Sequence, residues 1–145
     1  MSKQLSNRDK KILAMANEMI DYFVNLSSFE NRDDIQVNFD NEQAMSINSE
    51  AITSIHRTHG YCTISLRNDI EFTDEEYKKA ILHEIAHCLT REFIMYYQTF
   101  VEPEDETEDQ DNSISSIVFD QTHEKIAKRL AKILEYVWDN RTRII

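Results

Sequence analysis

Glycine and proline each occur once in this chain, as Gly60 and Pro103. A β-sandwich or barrel turns sharply every few residues, and most sharp turns use one of these two residues. Their scarcity predicts long helices, few tight turns and at most a small sheet. It also excludes a glycine-rich phosphate loop, in which glycines let the backbone approach the phosphates closely. The 145 residues are 41% apolar and include seven Phe and six Tyr. That is enough to bury one core, so a single domain over 1–145 is expected.

Hydrophobic periodicity divides the chain. After Ser6 or Asn7, either of which can cap a helix, the residues Ile12, Leu13, Ala16, Met19, Ile20, Phe23 and Val24 recur at helical spacing. From Asp34 to Leu66 the period falls to two. Ile35, Val37 and Phe39 alternate with Gln36 and Asn38, and Met45 and Ile47 alternate again. The runs Ile52–His56 and Tyr61–Leu66 are rich in β-branched residues and flank RTHG, which predicts a hairpin closing around Gly60. Thr73 opens TDEE, and a threonine three residues before Glu76 is a capping box. The helix it starts is expected to run from Asp74 towards Phe100, burying Ile81, Leu82, Ile85, Leu89 and Phe93. A last helix is expected over Gln121–Asn140, with Ile126, Leu130, Ile133, Leu134 and Val137 as its apolar face. The order predicts an α+β fold: a small mixed or antiparallel sheet packed with three main helices.

The formal net charge is −11, and much of it is local. Glu102 to Asp111 carries seven acids and no base, and 102–113 reads as an acidic, flexible loop within the domain. The rest holds 20 acids against 16 bases. Neither part is suited to neutralising phosphates, so no nucleic-acid partner is expected. No apolar run approaches the ~20 residues that span a membrane, and the first ten residues are too polar for a signal peptide. Cys62 and Cys88 form no CxxC pair and read as small buried hydrophobes in a reducing compartment. A cytoplasmic protein is expected.

The chemistry is concentrated in AILHEIAHCLT, Ala80 to Thr90. On a helix, residues four apart are neighbours on one face, so His83 and His87 can both aim a ring nitrogen at one ion about 2 Å away. Glu84 is placed to reach a water on that ion without binding it. A zinc ion lowers the pKa of such a water, and the glutamate can accept its proton. Two histidines do not complete a catalytic zinc site, so a third ligand must come from elsewhere.

KAILHEIAHCL resembles the active-site helix of the zincin metallopeptidases. The residues after His87, through TREF, lack the xxGxxH of metzincins. The closer resemblance is to the small single-domain gluzincins often called minigluzincins, many of them short phage or bacterial proteins. It covers roughly Tyr61 to Val137. It implies a zinc cofactor, peptide or protein substrates, and a zinc-binding glutamate on the helix after the motif, a few residues before a Leu-Ala pair. HEKIAKRLA, His123 to Ala131, occupies the expected place, which makes Glu124 the third ligand implied. Glu124 lies 37 residues beyond His87, enough for the chain to return antiparallel, and Ala127 and Ala131 would let two helices approach closely.

His123 is the principal rival as third ligand; otherwise it can support a ligand or stabilise the transition state. Glu92 and Cys88 point away from His87 on the same helix. His56 and His59 flank the hairpin turn. Tyr96, Tyr97 and His123 are candidates to stabilise an oxyanion. In zincins the edge strand before the active helix binds substrate by β-addition, and the resemblance assigns that role to Tyr61, Cys62, Thr63, Ile64, Ser65 and Leu66. The leading expectation is a zinc-dependent hydrolase, a small metallopeptidase with Glu84 as general base. The competing one is an interaction module with the same fold, a structural or vestigial metal site and no peptidase activity.

Overall fold

The computed structural model describes residues 5–25, 35–42, 51–55, 61–90 and 114–142. They form helix α1 (Asn7–Asn25), strands β1 (Ile35–Phe39), β2 (Ala51–Ile55) and β3 (Cys62–Leu66), then helices α2 (Asp74–Leu89) and α3 (Ile114–Asp139). This is the expected α+β arrangement of a small mixed sheet and three helices. The expected Met45–Ile47 alternation, the turn around Gly60, the run from Arg91 to Phe100 and the acidic loop lie outside the described residues.

Ser6 caps helix α1. Its hydroxyl accepts from the Asp9 backbone N–H at 3.1 Å, and its own N–H donates to Asp9 Oδ2 at 3.4 Å. Reciprocal pairing of this kind satisfies two donors that the first helical turn leaves without partners. Ile12, Ala16, Met19, Ile20 and Phe23 are buried, and Val24 packs against them. Each large side chain buried there contributes about 1.5–3 kcal/mol of transfer free energy.

The sheet order is β1-β3-β2. β3 pairs in parallel with β1 and antiparallel with β2, as the expected hairpin requires. Cys62, Ile64 and Leu66 are fully buried at alternate positions of β3, as period-two geometry dictates for a face covered by helices. This order corrects one expectation. Residues Tyr61 to Leu66 cannot form a substrate-binding edge, because both sides of β3 are already hydrogen-bonded to neighbours. Tyr61 precedes the strand and is 47% exposed. Among the described residues, the edges of the sheet are β1 and β2.

Helix α2 starts with the expected capping box. Thr73 Oγ1 accepts from the Glu76 N–H at 3.2 Å, and the Thr73 N–H donates to Glu76 Oε1 at 3.2 Å. Ile81, Leu82 and Ile85 are buried, as are Cys62 and Cys88, which form no disulfide. α3 runs antiparallel to α2: Lys78, near the start of α2, bonds Asp139 at the end of α3, while His83 and His87 meet Glu124.

α3 begins seven residues before the expected Gln121, at Ile114. Its buried face also differs from the expected one. Ala127, Leu134 and Trp138 are buried, with Leu130, Ala131 and Val137 packed beside them, whereas Ile126 and Ile133 are 40% and 59% exposed. The helix is rotated because Ala127, fully buried, lets α3 lie close to α2. Trp138 then stacks edge-on against Tyr22 of α1, with ring centroids 5.8 Å apart. Among the described residues, no helix is long and apolar enough to cross a membrane.

Candidate metal centre

His83, Glu84 and His87 lie near the C-terminal end of α2 and form a group that can hold a metal ion, their ligand atoms all within 4.8 Å of one another. Within reach of both histidines is a fourth residue, Glu124 of α3. The two Nε2 atoms are 3.2 Å apart. Glu124 Oε1 is 3.0 Å from His83 Nε2, and its Oε2 is 3.4 Å from His87 Nε2. With bonds of about 2.0–2.1 Å, the ligand atoms on a tetrahedral zinc stand about 3.3 Å apart. The edges of the His83–His87–Glu124 triangle therefore fit such an ion, and they are tighter than the grouping that includes Glu84.

Glu84 is held differently. Its residue is only 7% exposed, and Oε1 accepts a hydrogen bond from Thr53 Oγ1 at 2.9 Å. Burial raises the Glu84 pKa above the ordinary carboxylate value, and the Thr53 hydrogen bond opposes part of that rise. Thr53 reaches Glu84 because of the sheet register. It lies opposite Ile64, which lies opposite Val37, and residues in register across a sheet share a face. Ile64 is fully buried beneath the helices, so Thr53 faces the helices too.

His123 approaches from the far side of the His87 ring. Its Nε2 is 3.4 Å from His87 Nδ1, the nitrogen opposite the one that faces Glu124. It is also 3.0 Å from Thr90 Oγ1, which lies 3.1 Å from the carbonyls of Ala86 and His87. His123 thus stands outside the triangle, on the side from which a partner can fix the orientation of the His87 ring. Burial, with the His123 and His83 imidazoles beside it, lowers the His87 pKa from 6.5 to about 4. His87 is therefore neutral at neutral pH, as a metal ligand must be.

Of the expected site residues, the fold brings together His83, Glu84, His87, His123 and Glu124. Cys62, Ile64 and Leu66 are in the core, and Cys88 is fully buried there too. His56, His59, Glu92, Tyr96 and Tyr97 lie outside the described residues. Thr53 is the residue that sequence reasoning missed. The stretch AITSI places small or polar residues on both of its alternating faces, so its pattern does not say which side meets the helices. No family model matches the chain, and neither does any curated protein or solved structure.

Proposed function

We propose that this protein is a zinc-dependent hydrolase that cleaves peptide bonds, a small metallopeptidase of the minigluzincin type. The observation that carries the proposal is the triangle of His83 Nε2, His87 Nε2 and the Glu124 carboxylate, with edges of 3.0–3.4 Å, beside a separately anchored Glu84. Two imidazoles and one carboxylate, with a position left over, form the donor set of a catalytic rather than a closed structural zinc site. A zinc ion there supplies a water of lowered pKa and a Lewis acid for the scissile carbonyl.

The chain's own residues do the remaining work. His83 and His87 present Nε2 lone pairs, and His123 orients the His87 ring through Nδ1. Glu84, its Oε1 tied to Thr53, takes the proton of the attacking water at Oε2 and passes it to the leaving amine. In the metal-free chain burial raises the proton affinity of Glu84, and a zinc ion beside it would act in the opposite direction. Among the described residues β2, the strand that carries Thr53, is an edge of the sheet beside the site, and an extended peptide would add there as a further strand.

Metal analysis of the wild-type chain and of Glu84→Gln, with hydrolysis of a mixed peptide library followed by mass spectrometry, tests this reading. About one zinc per chain is expected in both proteins, with cleavage by the wild type only. A folded, zinc-loaded Glu84→Gln protein that cleaves as well as the wild type overturns the mechanism. Zinc without any cleavage by the wild type favours the interaction-module reading instead.

A further inference from the structure

An open cleft of about 560 Å³ adjoins the candidate metal centre, and the described residues that line it are Gln121, Glu124, Lys125 and Lys128. These positions follow i, i+3, i+4, i+7 and so share one side of α3. At about 100° per residue, Glu124 falls between this side and the one that buries Ala127 and Leu134 against α2. The same glutamate therefore meets the histidines and forms the inner wall of the cleft.

The charge on this side of α3 runs against that of the chain. The protein carries −11 overall, yet Lys125, Lys128, Arg129 and Lys132 fall within eight residues of α3. Between Gln121 and Leu134 the one acid is Glu124, whose oxygens face His83 and His87. Lys11 and Lys78 each have a carboxylate within 3.0 Å. Among the described residues, no carboxylate pairs with Lys125 or Lys128. Two ammonium groups on successive turns, with the Gln121 amide as a further donor, are left facing the space beside the bond-cleaving position. Such an arrangement concentrates anions.

We propose that this cleft selects a carboxylate carried by the substrate close to the bond that is cut, and that Lys125 and Lys128 are the residues that recognise it. The substrate is then an acidic peptide, or a peptide bound by its free C-terminal carboxylate. The inference takes from the hydrolase reading only the location of the cut, so the two can fail separately.

The test is binding by calorimetry to the zinc-loaded, full-length Glu84→Gln protein, which blocks turnover. Three short peptides of equal length serve as probes: an amidated one with two glutamates, its amidated glutamine counterpart, and the glutamine peptide with a free C-terminus. Binding about tenfold tighter for a carboxylate-bearing peptide is expected, weakening as salt rises. A preference for the glutamate peptide identifies a side-chain source, and one for the free C-terminus identifies a terminal source. Adding Lys125→Gln and Lys128→Gln should abolish the preference, and Lys→Glu at both positions should favour a lysine-bearing peptide. Both residues are exposed, and glutamine keeps the helical propensity, so folding should be unaffected. Equal binding of all three peptides, absence of binding, or a preference that survives in the double variant overturns the proposal. A preference that stands while the wild type hydrolyses nothing counts against the hydrolase reading alone.

Discussion

Thr53 on strand β2 donates a hydrogen bond of 2.9 Å to Oε1 of Glu84 on helix α2, across 31 residues of sequence. The bond ties an edge strand to the one buried carboxylate of the candidate site. It engages Oε1 and, in the proposed mechanism, leaves Oε2 for proton transfer. Thr53→Val keeps the branched shape and removes the donor. We expect unchanged zinc content and a loss of about 1–2 kcal/mol of transition-state stabilisation, about 5–30-fold in kcat with KM little altered. Thr53→Ser should recover most of the rate. An unchanged kcat in Thr53→Val would show that Glu84 is positioned without this bond.

Glu124 and His123 are adjacent in sequence but meet different atoms of the site, so their substitutions should separate. Glu124→Ala removes one corner of the triangle, and the purified chain should retain little zinc. His123→Ala leaves all three corners and removes only the partner of His87 Nδ1. Its zinc affinity should fall about 10–100-fold, the range found when the group supporting a metal-bound histidine is lost. Zinc titration against a competing chelator measures both. If Glu124→Ala holds zinc as well as the wild type, the triangle is not the metal site.

Protonation of His87 should cost the metal-free chain stability in mild acid. The His87 pKa lies at about 4 in the folded chain, against 6.5 for an ordinary histidine. The unfolded chain therefore takes up a proton here more readily than the folded one. The His87 contribution is fully present above pH 6.5 and is lost progressively as the pH falls from there towards about 4. Denaturant midpoints of chelator-treated Glu84→Gln protein, which lacks the opposing proton uptake of the buried Glu84 carboxylate, should decline from pH 6.5 downward. Adding His87→Gln should flatten the upper part of that decline, where few carboxylates titrate.

The closeness of α2 and α3 depends on Ala127, which is fully buried. Ala127→Leu should cost about 1–3 kcal/mol by overpacking and should weaken zinc binding, because Glu124 moves with its helix. Ile133→Ser, at a position 59% exposed, should change stability by no more than about 0.5 kcal/mol. Equal effects of the two substitutions would contradict the rotation of α3 described above.

Much of this was legible in local patterns. The stripe of α1, the Thr73–Glu76 capping box and the HExxH spacing depend on residues within a few positions of one another, and such signals survive without knowledge of the fold. The face of α3 was legible only in part: Ala127 was expected between the helices, but Ile126 and Ile133 were expected to be buried as well. Ile126 and Ile133 are as apolar as Leu130 and Leu134, and a helix with apolar residues over a wide arc does not reveal which side is buried. The choice fell to the side with the small residue, because only there can the two helix backbones approach. The position of β3 was hidden for a similar reason. Its alternation fits an edge or a central strand, and the sequence contains no sign that β1 will pair with it in parallel.

The sequence by itself determined the α+β class, the capped helix that carries His83, Glu84 and His87, and the excess of acid over base. These follow from periodicity and from the fixed geometry of a helical turn. Only the tertiary structure decided that Glu124 faces both histidines, that His123 stands behind His87, that Thr53 holds Glu84, and that two lysines line the cleft beside them. The first three are distances between elements far apart in the chain. Such distances are set by sheet register and by how closely α3 packs on α2, both of which are properties of the assembled core.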